Sequence, residues 1–257
     1  MNSWQWTGSA FAPCDTVPLT DRGFRYGMSV FESLRVRGGE AQFFERHLTR
    51  LIAACAAREF AVEEAALRAG EETLRHAGDG FARIYVTAGD GPPAAPAPAP
   101  RIYLFIEARE PPIEDCCELT FHDEPYRAPF GGLKTANYWF NADALATARR
   151  RGFDEALLFN DFAELVSACM ANVFLVLDGR LATPPRSSGA RAGVIREWVI
   201  GRRKVEERRL RREHVVAAEE IFLTNSWLGV MPVATLEGRP LGPRSLGPRL
   251  AAELEGR

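Results

Sequence analysis

Phe130-Gly131-Gly132-Leu133-Lys134-Thr135-Ala136-Asn137-Tyr138 carries one of only two lysines in a chain of 257 residues; the other is Lys204, so 30 of the 32 basic side chains are arginine. On a solvated surface the two residues exchange cheaply, because each supplies a positive charge on a flexible stem. One kind of chemistry forbids the exchange. An amine can lose its proton and attack a carbonyl to form an imine, whereas a guanidinium stays protonated above pH ~12. Lys204 follows Arg202-Arg203 and lies beside Glu206 and Glu207, so it reads as one more surface charge. Lys134 is the only charge between Arg127 and Asp143, and the glycines before it permit close backbone approach. It is the candidate nucleophile; a snorkelling lysine at a strand end is the plain alternative.

Outward from Lys134 the chain falls into two halves. On the N-terminal side, residues 30–36 and 41–44 predict a hairpin about Gly38-Gly39. Residues 45–58 predict a helix with Leu48, Leu51, Ile52 and Cys55 on one face, and residues 63–76 a second. Strands at 82–87 and 102–106 flank the Pro/Ala run 91–100, which reads as an exposed hairpin connection. The break at Glu110-Pro111-Pro112 places a linker near residues 110–120. After it come strands at 118–122, 156–159, 173–177, 180–182 and 221–224, with helices at 138–151, 194–200 and 246–253. The fold class is α/β: an α+β N-terminal domain over residues 1–112 and an α/β C-terminal domain over residues 120–257, the latter carrying Lys134.

Composition sets outer limits. Apolar residues at 46% and charged residues at 26% describe an ordinary folded protein. Thirty-two basic against 34 acidic side chains exert no overall pull toward nucleic acid or an anionic membrane. No uncharged apolar stretch nears the ~18 residues that span a bilayer, and Met1 to Thr7 lacks a signal-peptide pattern, so a cytoplasmic location is expected. Five scattered cysteines suit reduced thiols, with Cys116-Cys117 at a buried strand edge. His76, His122 and His214 have no neighbours at metal spacing, and no metal is expected. The basic run 202–212, interleaved with Glu206 and Glu207, reads as a solvated helix and turn.

Three further elements offer anion-binding groups. His47 and Arg50 share a helix face, displaced from the Leu48/Leu51/Ile52 stripe, where an arginine can fork onto a phosphate or simply be solvated. Gly189-Ala190-Arg191-Ala192-Gly193-Val194-Ile195-Arg196 opens a helix with small residues and unpaired N–H groups. Thr224-Asn225-Ser226 places hydroxyl and amide groups at the end of an apolar strand. An amine that condenses with a carbonyl, combined with groups that hold a dianion, suits a phosphorylated aldehyde, and pyridoxal 5′-phosphate is the economical candidate.

The run Asp21-Arg22-Gly23-Phe24-Arg25-Tyr26-Gly27-Met28-Ser29-Val30-Phe31-Glu32-Ser33, followed by Glu45-Arg46-His47-Leu48-Thr49-Arg50-Leu51, resembles the fold-type IV pyridoxal-phosphate enzymes, the class IV aminotransferases. Gly132-Leu133-Lys134-Thr135-Ala136-Asn137-Tyr138, Gly152-Phe153-Asp154-Glu155-Ala156, Ala171-Asn172-Val173-Phe174, Gly193-Val194-Ile195-Arg196 and Thr224-Asn225-Ser226 continue the likeness in order. The resemblance implies a two-domain D-amino acid aminotransferase-like fold with the active site between the domains, a small-molecule amino substrate, and a homodimer. It implies that Lys134 is the Schiff-base lysine and later moves the substrate proton. Arg50, Asn172, Gly193, Val194, Ile195, Asn225 and Ser226 are its expected cofactor-binding residues, with Tyr26 and Tyr138 bordering the substrate.

Three positions depart from the family pattern. Met28-Ser29 stands where Asp-Gly is usual. Arg191 stands where an apolar residue packs on the pyridine ring. Ser167 stands where a glutamate keeps the ring nitrogen protonated, and Glu164 is the nearest acid. A hydroxyl can donate to an unprotonated nitrogen but does not make the ring a strong electron sink. Transamination then suffers more than an elimination that passes charge directly into a leaving group. The expected activity is therefore that of a 4-amino-4-deoxychorismate lyase, releasing 4-aminobenzoate and pyruvate. The alternative is an aminotransferase acting on branched-chain or D-amino acids; a third reading, a binding protein on this scaffold, is opposed by the retained lysine.

Overall fold

The computed structural model describes residues 2–111, 116–242 and 244–256. Two compact units emerge, Met1–Pro111 with Leu133–Asn137 and Pro112–Gly132 with Tyr138–Arg257. The first holds strands β1 (Asn2–Trp6) and β2 (Phe11–Pro13), helix α1 (Arg22–Tyr26), strands β3 (Ser29–Arg37) and β4 (Glu40–Ala41), helices α2 (Phe44–Ala57) and α3 (Glu64–Ala77), and strands β5 (Gly80–Thr87) and β6 (Arg101–Glu107). Its sheet runs β2-β1-β6-β5-β3-β4, antiparallel throughout.

Alternation along β3 decides this unit. Val30, Leu34 and Val36 point to one face and join Leu48, Leu51 and Cys55 of α2 and Leu67 and Leu74 of α3 in a continuous core. Each large side chain so buried contributes roughly 1.5–3 kcal/mol. Gly38 and Gly39 turn the chain back with φ of 59° and 72°, values that suit glycine in a two-residue hairpin.

The Pro/Ala run joins β5 to β6 as expected, but it is more than an exposed loop. Arg22, 1% exposed, donates to the carbonyls of Ala88, Gly89 (3.2 Å), Ala95 (2.6 Å) and Pro96 (3.1 Å), and Ala97 is buried. Proline-rich backbone has few N–H groups with which to satisfy its own carbonyls, and the guanidinium supplies the missing donors. Arg22→Ala is expected to destabilise the protein by about 3 kcal/mol. The measurement is urea unfolding, with proteolysis read at residues 92–100.

The second unit contains β7 (Cys117–Phe121), α4 (Trp139–Arg150), β8 (Glu155–Phe159), β9 (Leu165–Ala168), β10 (Asn172–Leu177), β11 (Arg180–Thr183), α5 (Val194–Ile200), β12 (Val205–Glu207), α6 (Arg212–Ala217), β13 (Glu220–Asn225), β14 (Gly229–Leu236), β15 (Arg239–Pro240) and α7 (Leu246–Leu254). The mixed sheet runs β12-β11-β10-β13-β14-β7-β8-β9, with β15 on β14. Leu157, Leu165, Val173, Leu175, Ile221, Leu223 and Val233 form its core. Glu220 accepts from Ser245 N (2.9 Å), Leu246 N (3.0 Å) and Gly247 N (2.6 Å), fixing the start of α7 on β13.

Several expectations are corrected. Residues 205–207 form a strand, because Val205, Glu206 and Glu207 pair in parallel with Leu181, Ala182 and Thr183 of β11. The linker expected near 110–120 is shorter at its far end, since β7 begins at Cys117; residues 112–115 lie outside the described residues. Lys134 belongs with the first unit, not the C-terminal one, because its segment pairs with β3: Phe31 N donates to Lys134 O (2.9 Å) and Ala136 N to Ser29 O (3.2 Å). All five cysteines are free.

Candidate active site

In the first unit the ladder to β3 fixes the Lys134 backbone, and Nζ stands 4.1 Å from the centroid of the buried Phe31 ring. Phe31 in turn stacks on Tyr85 at 4.8 Å. Tyr26 ends α1, exposed, with the Arg25 guanidinium over its ring.

His47 and Arg50 do not form a solvated face. His47 is fully buried, and both residues close on a carboxylate, Glu32, that is only 1% exposed. Arg50 donates Nε to Oε1 (2.7 Å) and Nη2 to Oε2 (2.5 Å), and His47 Nδ1 lies 2.8 Å from Oε2. The cause is strand alternation: Glu32 occupies the inward row of Val30 and Leu34, directly beneath α2. Burial alone raises the Glu32 carboxyl, but the Arg50 charge and the hydrogen bonds from His47 and Arg50 outweigh it and hold it far below the usual carboxylate range. Burial also lowers the His47 pKa, against the pull of Glu32. An ionised carboxylate only accepts, so Nδ1 of this neutral imidazole carries the proton, and buried Nε2 has no partner among the described residues.

In the second unit Asn172, Gly193 and Thr224 come together. Asn172 opens β10 opposite Thr224 of β13 and donates Nδ2 to Arg191 O (2.9 Å). A Cβ on Gly193 would overlap Asn172 Oδ1, so only glycine admits this approach. Val194 and Ile195, both buried, begin α5 immediately afterwards. Asn225 donates Nδ2 to Met170 O (3.2 Å) and accepts from Trp227 N and Leu228 N, shaping the turn that carries Ser226. Thr224 Oγ1 is buried and unpartnered among the described residues. A free hydroxyl beside a glycine cradle fits an anionic group of phosphate size.

Ser167 lies on β9 opposite Leu158. Glu164, the nearest acid in sequence, is committed elsewhere, to Ser188 Oγ (2.7 Å), Asn160 Nδ2 (3.3 Å) and Arg209 Nε (3.4 Å). Tyr138 accepts a 2.6 Å hydrogen bond from Arg191 Nη1.

Across residues 29–236 the chain matches the family model for class IV amino-transferases. The chain belongs to that family. The branched-chain-amino-acid aminotransferase of Escherichia coli K12 is 27% identical over 258 residues, covering 90% of this chain and 84% of that protein. The crystal structure of 4-amino-4-deoxychorismate lyase from Pseudomonas aeruginosa superposes with a TM-score of 0.88 at 29% identity, covering 99% of this chain and 98% of that one. The branched-chain aminotransferase of Thermoproteus uzoniensis superposes with a TM-score of 0.89 at 22% identity, covering 99% and 93%. Class IV amino-transferases are pyridoxal phosphate-dependent enzymes.

Two buried acids of this class IV chain escaped the sequence analysis. Glu32 was legible only as a carboxylate in an apolar alternation. Glu155 opens β8, accepts from Met170 N (3.1 Å), and is pushed by burial up to about 7. With Asn141, which donates to Cys169 O (2.8 Å), it holds the turn joining Ser167 to Asn172. Among the described residues no group of three or more His, Cys, Asp or Glu gathers as a metal site, and no helix is long and apolar enough to cross a membrane.

Proposed function

We propose that the chain is a pyridoxal phosphate-dependent lyase converting 4-amino-4-deoxychorismate to 4-aminobenzoate and pyruvate. Bound cofactor supplies an aldehyde carbon that takes the substrate amine and a conjugated ring that accepts charge from the adjacent carbon. Lys134 holds the aldehyde carbon and later removes the proton at the amine-bearing carbon. Glu32 orients Arg50 toward the phosphate, and Asn172, Gly193, Val194, Ile195, Asn225 and Ser226 form the remaining phosphate contacts. Ser167 offers a hydroxyl to the ring nitrogen. Tyr26 and Tyr138 border the substrate. Proton loss breaks the bond to the enolpyruvyl oxygen, the enol takes up a proton to become pyruvate, and the substrate ring becomes aromatic.

One observation carries this reading: Ser167 stands where a ring acid is usual, and the nearest acid, Glu164, is bonded away from it. Aromatisation supplies a driving force that a weak electron sink does not. The 29% identity and near end-to-end match with the Pseudomonas lyase support the same choice. The E. coli relative favours a second reading, a branched-chain aminotransferase. Purified protein is given aminodeoxychorismate in one assay and a branched-chain amino acid with 2-oxoglutarate in another. The first reading requires 4-aminobenzoate; glutamate without 4-aminobenzoate selects the second.

Gly193→Ala is expected to weaken pyridoxal phosphate binding by about 1–3 kcal/mol, the cost of forcing a methyl group against Asn172. Fluorescence titration of the apoprotein measures it, with thermal melting to show that the fold is retained.

A further inference from the structure

Arg191 is a half-buried guanidinium with most of its donors unspent. Nη1 donates to the Tyr138 hydroxyl at 2.6 Å, the guanidinium carbon lies 5.5 Å from that ring's centroid, and buried Nε has no partner among the described residues. No carboxylate pairs with it among the described residues. The fully buried Arg196 and Arg22 have acceptors for their charge, Glu197 (2.9 Å) and Glu207 (2.5 Å) for Arg196 and the carbonyls of the Pro/Ala run for Arg22, although Arg196 Nε, like that of Arg191, is unpartnered among the described residues. A guanidinium held at one corner and unneutralised at the rest is preorganised for a planar anion, which it grips bidentately.

The direction of the side chain separates two anion sources. The Arg191 carbonyl accepts from Asn172 Nδ2 and Gly193 N, both at 2.9 Å, so its backbone belongs to the phosphate cradle. Its guanidinium instead reaches Tyr138. Burial raises the nearby Tyr126 phenol and the Arg191 charge opposes that rise.

We propose that Arg191 is a specificity-determining residue that receives a carboxylate of the substrate, restricting the enzyme to amines that also carry an acid group. This rests on the assignment of Tyr138 to the substrate side of a class IV site, and it holds for either reaction.

The test compares acids with their neutral amides on the holoenzyme by calorimetry: 4-aminobenzoate against 4-aminobenzamide, and glutarate against its diamide. In the wild type at least one acid is expected to bind about tenfold or more tighter than its amide. Arg191→Leu and Arg191→Gln reduce that preference to near unity while the variants still bind pyridoxal phosphate, and Arg191→Lys restores part of it. No acid preference in the wild type, or a preference kept by both variants, overturns the proposal. Loss of cofactor affinity with the acid preference intact overturns it too, and assigns Arg191 to the cofactor phosphate. Failure of the lyase reading appears separately, as glutamate without 4-aminobenzoate in the turnover assays.

Discussion

Lys134→Arg is expected to lower kcat by at least about a thousandfold while leaving the fold intact. Arginine keeps a positive charge over the Phe31 ring, where the amine now sits 4.1 Å from the centroid, and it keeps the backbone pairing with β3. What disappears is the ability to shed a proton and bond a carbonyl carbon. The variant should melt near the wild-type temperature and remain colourless on addition of pyridoxal phosphate. Lys204→Arg, at an exposed turn, should alter neither property. A Lys134→Arg protein that turned yellow and worked at the native rate would remove the basis for the proposed chemistry.

Glu32→Gln is expected to cost about 3 kcal/mol of stability and to weaken cofactor binding as well. The carboxylate is buried between Arg50 and His47; removing its charge leaves the Arg50 guanidinium without its counter-ion. Glutamine keeps the shape, so the loss measures charge. Acid sensitivity separates the groups. His47 stays neutral in the folded chain below its ordinary value of 6.5, so the unfolded chain takes up more protons and stability falls as pH drops below that value. The depressed Glu32 carboxyl contributes stability in full above its ordinary value of 4.5, and this is lost progressively at lower pH. Urea unfolding at a series of pH values should show both declines in the wild type. In Glu32→Gln the lower one should be shallower, the remainder coming from carboxyls such as Asp90, Glu164 and Glu237 that their partners also hold low.

Local pattern and long-range pairing differ in how clearly the sequence displays them. The α5 boundaries, Val194–Ile200, are those expected, because a glycine opens the helix and apolar spacing continues it. The Gly38-Gly39 hairpin was equally plain, since two adjacent glycines between alternating runs leave few other conformations. The basic run 202–212 misled because charge implies exposure but says nothing about whether a backbone edge pairs; β12 lies against β11, and its Glu207 bonds the buried Arg196. The placement of Lys134 was hidden for a similar reason. Its five-residue segment pairs with a strand about a hundred residues earlier, and no local periodicity encodes that.

At the candidate site, residue types were legible and partners were not. Arg50 and His47 were visible as a pair at helical spacing, yet the carboxylate they share comes from β3, and only the stacking of helix on sheet brings it beneath them. Arg191 was visible as a departure from a family pattern; its bond to Tyr138 spans 53 residues and required the fold.

With only two lysines in the chain, the central claim reduces to which amine holds the cofactor. Borohydride reduction of the holoenzyme makes that bond permanent, and peptide mass spectrometry locates it. The account predicts a phosphopyridoxyl group on Lys134 and an unmodified Lys204. A label on Lys204, or no label on a catalytically active protein, would contradict it.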